Sequence, residues 1–186
     1  MEFNEVLARR CSCRDFADRP VEREKITACM EAGRLSPSGC NAQRWMFIAV
    51  DDPDKRLAVA KALESPPEIG INRFVHNTPA FIVVLHHPPR RVLTEKQQKI
   101  LSKFNHASID IGIAAHQMCL ACTNMGLGSI MIGWFDEQPI KAALKIPDEL
   151  SVALVIGVGY PKSDPIRKPG RYAPDLVYRW NGFGEA

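Results

Sequence analysis

Residues 106–125 read HASIDIGIAAHQMCLACTNM, with Ile109, Ile111, Ile113, Ala114, Ala115, Met118, Leu120, Ala121 and Met125 spread around most of a helical circumference. A surface helix confines its apolar residues to one stripe, so a helix apolar nearly all round has to be buried nearly all round. In a chain this short, a subunit interface is one place for its second face. Gly126 to Gly128 then stop the helix.

Short apolar runs bounded by turn residues surround this helix and read as buried strands: Trp45 to Val50 (WMFIAV), Phe81 to Leu85, Ser129 to Ile132 and Val152 to Val158. Helical patterns lie between them. Phe3, Val6 and Leu7 place a short helix in 2–10, and Val21, Ile26, Cys29, Met30 and Gly33 place an amphipathic one in 21–35, just after Pro20. Asp52 and Pro53 have the cap and first-turn chemistry of a helix running to about Leu63. Residues 94–105 read as a polar helix, and Pro139 opens another to about Lys145. Residues 11–20 are a polar connector, and Pro37, Ser38, Gly39 and Asn41 form a loop. Residues 64–79, with Pro66, Pro67, Gly70 and Pro79, are an irregular loop. From 162 onward, Pro165, Pro169 and Pro174 without periodicity predict a tail that lies on something rather than a self-contained element. Helices and strands alternate with no repeat or linker, which predicts a single α/β or α+β domain over 1–186.

The 186 residues carry 24 Lys+Arg against 21 Asp+Glu, a formal net charge of +3, with 46% hydrophobic and 24% charged residues. That is ordinary for one folded core and excludes disordered, collagen-like and fibrous chains. No stretch approaches the roughly 18 consecutive apolar residues of a membrane span. Met1 is followed by Glu2 and Asn4 rather than by a basic and apolar leader, so a cytoplasmic protein is expected. The six cysteines (Cys11, Cys13, Cys29, Cys40, Cys119, Cys122) are then expected to remain reduced thiols.

The basic excess is concentrated at the two ends. Arg9, Arg10, Arg14 and Arg19 lie near the start, and Lys162, Arg167, Lys168, Arg171 and Arg179 lie in the tail. Arg10, Ser12 and Arg14 alternate, so in an extended connector their side chains share a face and offer two guanidiniums and a hydroxyl to a phosphate. Solvated arginines are the other reading, and spacing alone leaves both open. Nucleic acid is disfavoured, because no basic stripe with interleaved aromatics is present. The loop Pro37-Ser38-Gly39-Cys40-Asn41-Ala42-Gln43 holds three polar side chains between a helix and a buried strand. Asn and Gln carry donors and acceptors together, which suits a flat heterocycle, although Ser and Asn also simply close turns.

Taken in order, Arg10-Cys11-Ser12-Cys13-Arg14-Asp15-Phe16, Pro37-Ser38 with Asn41 and Gln43 before Trp45, Asn124-Met125-Gly126-Leu127-Gly128-Ser129, and Gly157-Val158-Gly159-Tyr160-Pro161 with a basic tail resemble the nitroreductase family of FMN-dependent oxidoreductases. The resemblance spans nearly the whole chain. It implies an α+β fold, with a central mixed β-sheet flanked by helices, in an intertwined homodimer with a swapped C-terminal tail and FMN at the subunit interface. It implies that Arg10 and Ser12, with Cys11 between them, meet the FMN phosphate, and that Arg14 reaches the pyrimidine edge of the flavin near N1 and O2. Pro37, Ser38, Gly39 and Asn41, with Gln43, would come from the other subunit. Backbone amides near Gly133 and Trp134 would face N5 and O4, and Lys168 and Arg171, or Arg167 in place of either, would complete the phosphate site. No side-chain nucleophile is implied, since the flavin carries the chemistry. The sequence departs from the family pattern at Cys11, Cys13 and Arg44, and Gly170 interrupts the usual spacing of the tail cations. Residues 64–79 and 88–104 would have to shape the substrate pocket.

The expected activity is therefore hydride transfer from NADH or NADPH, through FMN, to a nitroaromatic or quinone acceptor by a ping-pong mechanism. The alternatives are a specialised relative (a dehalogenase, a dehydrogenase or a flavin-consuming enzyme), a non-enzymatic flavin-binding dimer, and a thiol-redox or metal protein. Cys119-Leu120-Ala121-Cys122 is a C-x-x-C, but it lies deep inside an apolar helix rather than at a helix N-terminus, so a packed pair is expected. No metal site is expected, because neither His86-His87 nor Cys11-x-Cys13 supplies the ligand spacing of a structural zinc site. G-x-S-x-G and G-x-G-x-x-G are both absent.

Overall fold

The computed structural model describes residues 1–64, 70–89, 92, 94–102, 106–163 and 169–183. Helices α1 (Phe3–Arg9), α2 (Arg23–Arg34), α3 (Pro53–Leu63), α4 (Glu95–Ser102), α5 (His106–Asn124), α6 (Glu137–Leu144) and α7 (Pro174–Val177) surround strands β1 (Trp45–Val50), β2 (Ala80–His86), β3 (Gly128–Ile132) and β4 (Ser151–Gly159). The sheet order is β1-β2-β4-β3, and every neighbouring pair is antiparallel. The parallel element of the expected mixed sheet is a single bridge, Ser12 to Ser129, that docks the 11–16 connector at the start of β3.

Central strand β2 is apolar along its length because both faces are covered. Ala80, Ile82 and Val84 face Ile26 and Cys29 of α2 and Ile111, Met118 and Cys122 of α5. Phe81, Val83 and Leu85 face Val59 and Leu63 of α3 and Ile140 of α6. The close approach of α2 to α5 depends on Gly33, where a Cβ would stand 2.8 Å from Met118 Cγ. Helix α5 ends in a paired turn: Leu127 N–H donates to Cys122 O at 2.9 Å and Gly126 N–H to Thr123 O at 3.0 Å, with Gly126 at φ +75°. Such a left-handed residue satisfies the last helical carbonyls, and glycine adopts it without strain.

Only one side of α5 is buried by its own chain. Ile109 and Ile113 are 55% and 40% exposed, and they line a concavity of about 860 Å³ together with Phe3, Val6 and Leu120. The prediction of burial on both sides thus leaves an apolar face uncovered in a single copy. The tail is exposed throughout 169–183, including Trp180 and Phe183.

Apart from shifts of one or two residues at element ends, one helix start and two short helical turns differ from expectation. Helix α6 starts at Glu137 rather than Pro139, because Asp136 Oδ1 accepts Gln138 N–H at 3.1 Å and caps it; Pro139 then sits in the first turn, where its missing N–H costs nothing. Arg73–Asn77 forms a 3-10 turn inside the stretch read as irregular, and Pro174–Val177 forms one helical turn in the tail, with Pro174 opening it. The described residues include no helix long and apolar enough to cross a membrane.

The connector is locked at its far end to the end of β4. Ala17 N–H donates to Tyr160 O at 2.8 Å, and Phe16 bridges Pro161. Tyr160 hydroxyl donates to Glu22 Oε2 at 2.6 Å and accepts from Lys25 Nζ at 2.5 Å, while Arg19 Cζ lies 3.8 Å from the ring centroid. The Tyr160 hydrogen bond is the main cause holding the Glu22 carboxyl down at about 2. A carboxyl depressed by folding stabilises the fold fully above its unfolded value, about 4.3, and loses that contribution as pH falls toward its folded one. Glu22→Gln should therefore flatten the rise of the urea midpoint between about pH 2 and 4.5. The effect should be small, because Glu22 is 44% exposed.

Candidate functional site

The connector folds as its alternation predicts. Cys11 and Cys13 are buried at 7% and 3% exposure, whereas Ser12 and Arg14 are exposed and Arg10 is partly so. Cys13 N–H donates to Ser129 O at 2.9 Å, which fixes the extended backbone. Gly128 makes the docking feasible, since a Cβ there would stand 2.7 Å from Cys13 Cβ. Arg14 Cζ lies 6.0 Å from the Phe74 ring centroid. Among the described residues no carboxylate pairs with Arg10 or Arg14, so both guanidiniums keep their charge for another group. Burial pushes the Cys119 thiol up, partly offset by its hydrogen bond with Ser129 and by the charge of Arg10.

Gly133 and Trp134 follow β3 directly and are exposed. Asn72, left-handed at φ +62°, donates through Nδ2 to Leu63 O at 3.0 Å and to Trp134 O at 3.2 Å, and so pins this backbone. Ser12 is thus bridged near the start of edge strand β3, and Gly133 and Trp134 follow its end.

The 37–43 loop is a second, separate cluster. Ser38 Oγ accepts Gln43 N–H at 3.0 Å, Gln43 Nε2 donates to Asn41 Oδ1 at 3.2 Å, and Gly39 N–H donates to Asp110 Oδ1 at 3.0 Å. Cys40, Asn41 and Gln43 all have positive φ (53°, 53° and 47°). Non-glycine residues held there cost of order 1 kcal/mol each and persist only where surrounding contacts over-determine them. The loop is therefore built, rather than a bare turn. Asn41 is exposed and Ser38 and Gln43 are partly so.

The sheet keeps the two clusters apart. Ser129 pairs with Val158 and Val158 with Ala80, whereas Trp45, at the end of the loop, pairs with His86. By strand geometry the clusters are separated by about 14 Å across three strand spacings and roughly 20 Å along the strands. One small molecule cannot touch both in a single chain. The loop end also leaves three buried polar atoms without a hydrogen-bond partner among the described residues: Arg44 Nε, His86 Nε2 and Asp110 Oδ2. Burial, and the nearby charges of Arg44 and His87, hold the His86 imidazole below its ordinary range.

Of the tail cations, Lys162 lies at the connector, with Nζ 3.9 Å from Asp15 Oδ1. Arg171 donates to the carbonyls of Gly170 and Pro169 within the tail itself, and Lys168 and Arg167 lie outside the described residues. Parts of 64–79 and 88–104 also lie outside them. The C-x-x-C is packed: Cys29 and Cys122 sulfurs are 3.1 Å apart and fully buried, and their hydrogen bond together with burial pushes the Cys122 thiol well up, which makes it a poor nucleophile. Among the described residues no group of His, Cys, Asp and Glu is placed to hold a metal.

Asp110, Gln117 and Asn72 were absent from the sequence reading of the site. Asp110 left a signal there, since a carboxylate in a helix apolar all round must be bonded wherever it is buried. Asn72 and Gln117 left none, because their partners are backbone and side-chain atoms distant in sequence.

The model of the nitroreductase family matches residues 7–160. A crystal structure of a nitroreductase family protein from Clostridium novyi NT is 30% identical, with a TM-score of 0.74 over 90% of this chain and 89% of that one. FMN reductase (NADPH) of Bacillus subtilis is 23% identical over 96% of this chain and 73% of its own length. Iodotyrosine deiodinase 1 of Rattus norvegicus is 24% identical over 94% of this chain and 65% of its own.

Proposed function

The chain belongs to the nitroreductase family, and from that premise we propose an FMN-dependent NAD(P)H oxidoreductase working as a cytoplasmic homodimer on nitroaromatic or quinone acceptors. The observation that carries the reading is the connector docked at the start of β3, which presents two guanidiniums that pair with no carboxylate among the described residues, with the exposed residues Gly133 and Trp134 following the same strand. An anionic group with a flat polar ring suits that edge: Arg10 and Ser12 take the phosphate, with Arg171 and the remaining tail cations assisting, and Arg14 takes the ring's negative edge. The resemblance to a B. subtilis FMN reductase using NADPH supports the cofactor and the donor. Bound FMN would supply hydride chemistry at N5, accepting from NADH or NADPH and delivering to an electron-poor acceptor. Arg14 stabilises negative charge on the reduced ring and so raises its potential. The Gly133 and Trp134 backbone orients the ring edge, and the pinning by Asn72 keeps it rigid. Donor and acceptor use one open face in turn, which is a ping-pong scheme.

Because the 37–43 loop sits at the opposite corner of its own sheet, it completes the site of the second copy, and the exposed face of α5 is where the copies meet. The tail packs on the partner. Ile109→Lys with Ile113→Lys should give a monomer of unchanged far-UV circular dichroism that holds no FMN; a dimer retaining full FMN occupancy would contradict the interface.

The purified protein should show flavin absorption that anaerobic NADH or NADPH bleaches and a quinone restores, with parallel-line steady-state kinetics. A colourless preparation that takes up no added FMN would refute the proposal. Similarity to a deiodinase favours a second reading, reductive dehalogenation. Negligible quinone and nitroaromatic turnover, together with halide release from a halogenated phenol, would select it.

A further inference from the structure

Asp110 is 3% exposed and sits near the start of α5, next to the exposed Ile109. One of its oxygens accepts Gly39 N–H at 3.0 Å; the other is buried with no hydrogen-bond partner among the described residues. Seven residues further along the same helix, Gln117 Oε1 accepts Ser36 Oγ–H at 3.0 Å. Residues seven apart lie on one helical face, so a single face of α5 grips both Ser36 and Gly39, the two positions that bracket Pro37 and Ser38. Beyond Gly39 the backbone passes through the left-handed residues Cys40, Asn41 and Gln43. That conformation needs an anchor, and the Asp110 oxygen that accepts Gly39 N–H supplies one.

We infer that Asp110 is a positioning residue for the flavin site: it anchors the 37–43 loop in the conformation that completes the neighbouring subunit's cofactor pocket. This rests on the proposed FMN-binding homodimer. The fold itself does not explain the carboxylate. An apolar residue would be buried at this position at lower desolvation cost, whereas a buried acid bonded through one oxygen to a loop amide serves the loop. The position of Asp110 on the helix that also carries Ile109 and Ile113 ties the geometry of the loop to the surface meeting the second copy.

The test compares full-length Asp110→Ala and Asp110→Asn with the unmutated protein. FMN dissociation constant, visible flavin circular dichroism, dimer mass, apoprotein melting temperature and amide exchange at Gly39 are measured for each. Asp110→Ala should remain a dimer while its FMN dissociation constant rises at least tenfold and its flavin dichroism changes. Asp110→Asn keeps a carbonyl oxygen to accept Gly39 N–H, so the rise should fall to about threefold, with faster Gly39 exchange. If the alanine variant yields no folded dimer, the asparagine variant decides alone by the same two readings. A dimeric alanine variant with unchanged FMN affinity and dichroism, even at a lower melting temperature, would overturn the positioning role and leave the cofactor assignment standing. An unmutated dimer that binds no FMN would overturn both.

Discussion

Arg14→Ala is expected to slow anaerobic reduction by NADH or NADPH at least tenfold and to raise the FMN dissociation constant by a similar factor. The side chain is exposed, its one described contact is the Phe74 ring at 6.0 Å, and no carboxylate pairs with it among the described residues. Removing it should therefore leave the fold intact, since surface positions without such partners typically move stability by less than about 0.5 kcal/mol. On the proposed assignment the substitution removes a charge-assisted contact to the anionic ring, and hydrogen bonds to charged groups contribute roughly 1.5–3 kcal/mol, or about 10- to 150-fold in an equilibrium. Arg14→Lys keeps the charge but not the planar fork, so it should recover part of the rate and less of the affinity. Stopped-flow reduction at saturating nucleotide measures the effect. Rates equal to the parent in Arg14→Ala would refute the assignment.

Gly128→Ala should be the most damaging small substitution at the site. The added methyl would stand 2.7 Å from Cys13 Cβ and 2.8 Å from its sulfur, with Pro161 Cγ at 3.3 Å. Neither Cys13 nor Pro161 can swing away, because Cys13 N–H is bonded to Ser129 O and Pro161 bridges Phe16. The connector has to lift from β3. Overpacking of this kind costs about 1–3 kcal/mol, and the displaced segment carries Ser12 and Arg14, so FMN affinity should fall at least tenfold. Gly126→Ala is the control. Nothing lies within 4 Å of its Cβ, but its φ of +75° makes alanine strained, so it should cost about 1–2 kcal/mol without weakening FMN. Chemical denaturation and FMN titration of both variants separate the two. Equal loss of affinity in both would mean that Gly128 acts only through global stability.

Much of this architecture is legible in the chain. Trp45–Val50 and Pro53–Leu63 form as read, because a six-residue apolar run between turns and an Asp-Pro start have few competing solutions. Pro139 misled because proline is tolerated anywhere in a helix's first turn, and only the bond from Gln138 N–H to Asp136 shows which residue is the cap. The Arg10-Ser12-Arg14 alternation was legible because a strand's period of two is a local property. The loop's left-handed residues were not, since Cys40 and Gln43 have no intrinsic preference for that region and are held there by Ser38, Gly39 and Asp110.

By itself the sequence determined the elements, the all-round apolar helix, and two polar clusters separated along the chain; these follow from periodicity, turn chemistry and charge, which act over a few residues. The tertiary structure decided where those clusters stand. The β1-β2-β4-β3 order sends the connector and the loop to opposite corners of one sheet, and it brings Asp110 under Gly39 across 71 residues of chain. No local pattern encodes such contacts, because they are set by which strands pair and how the helices pack on them.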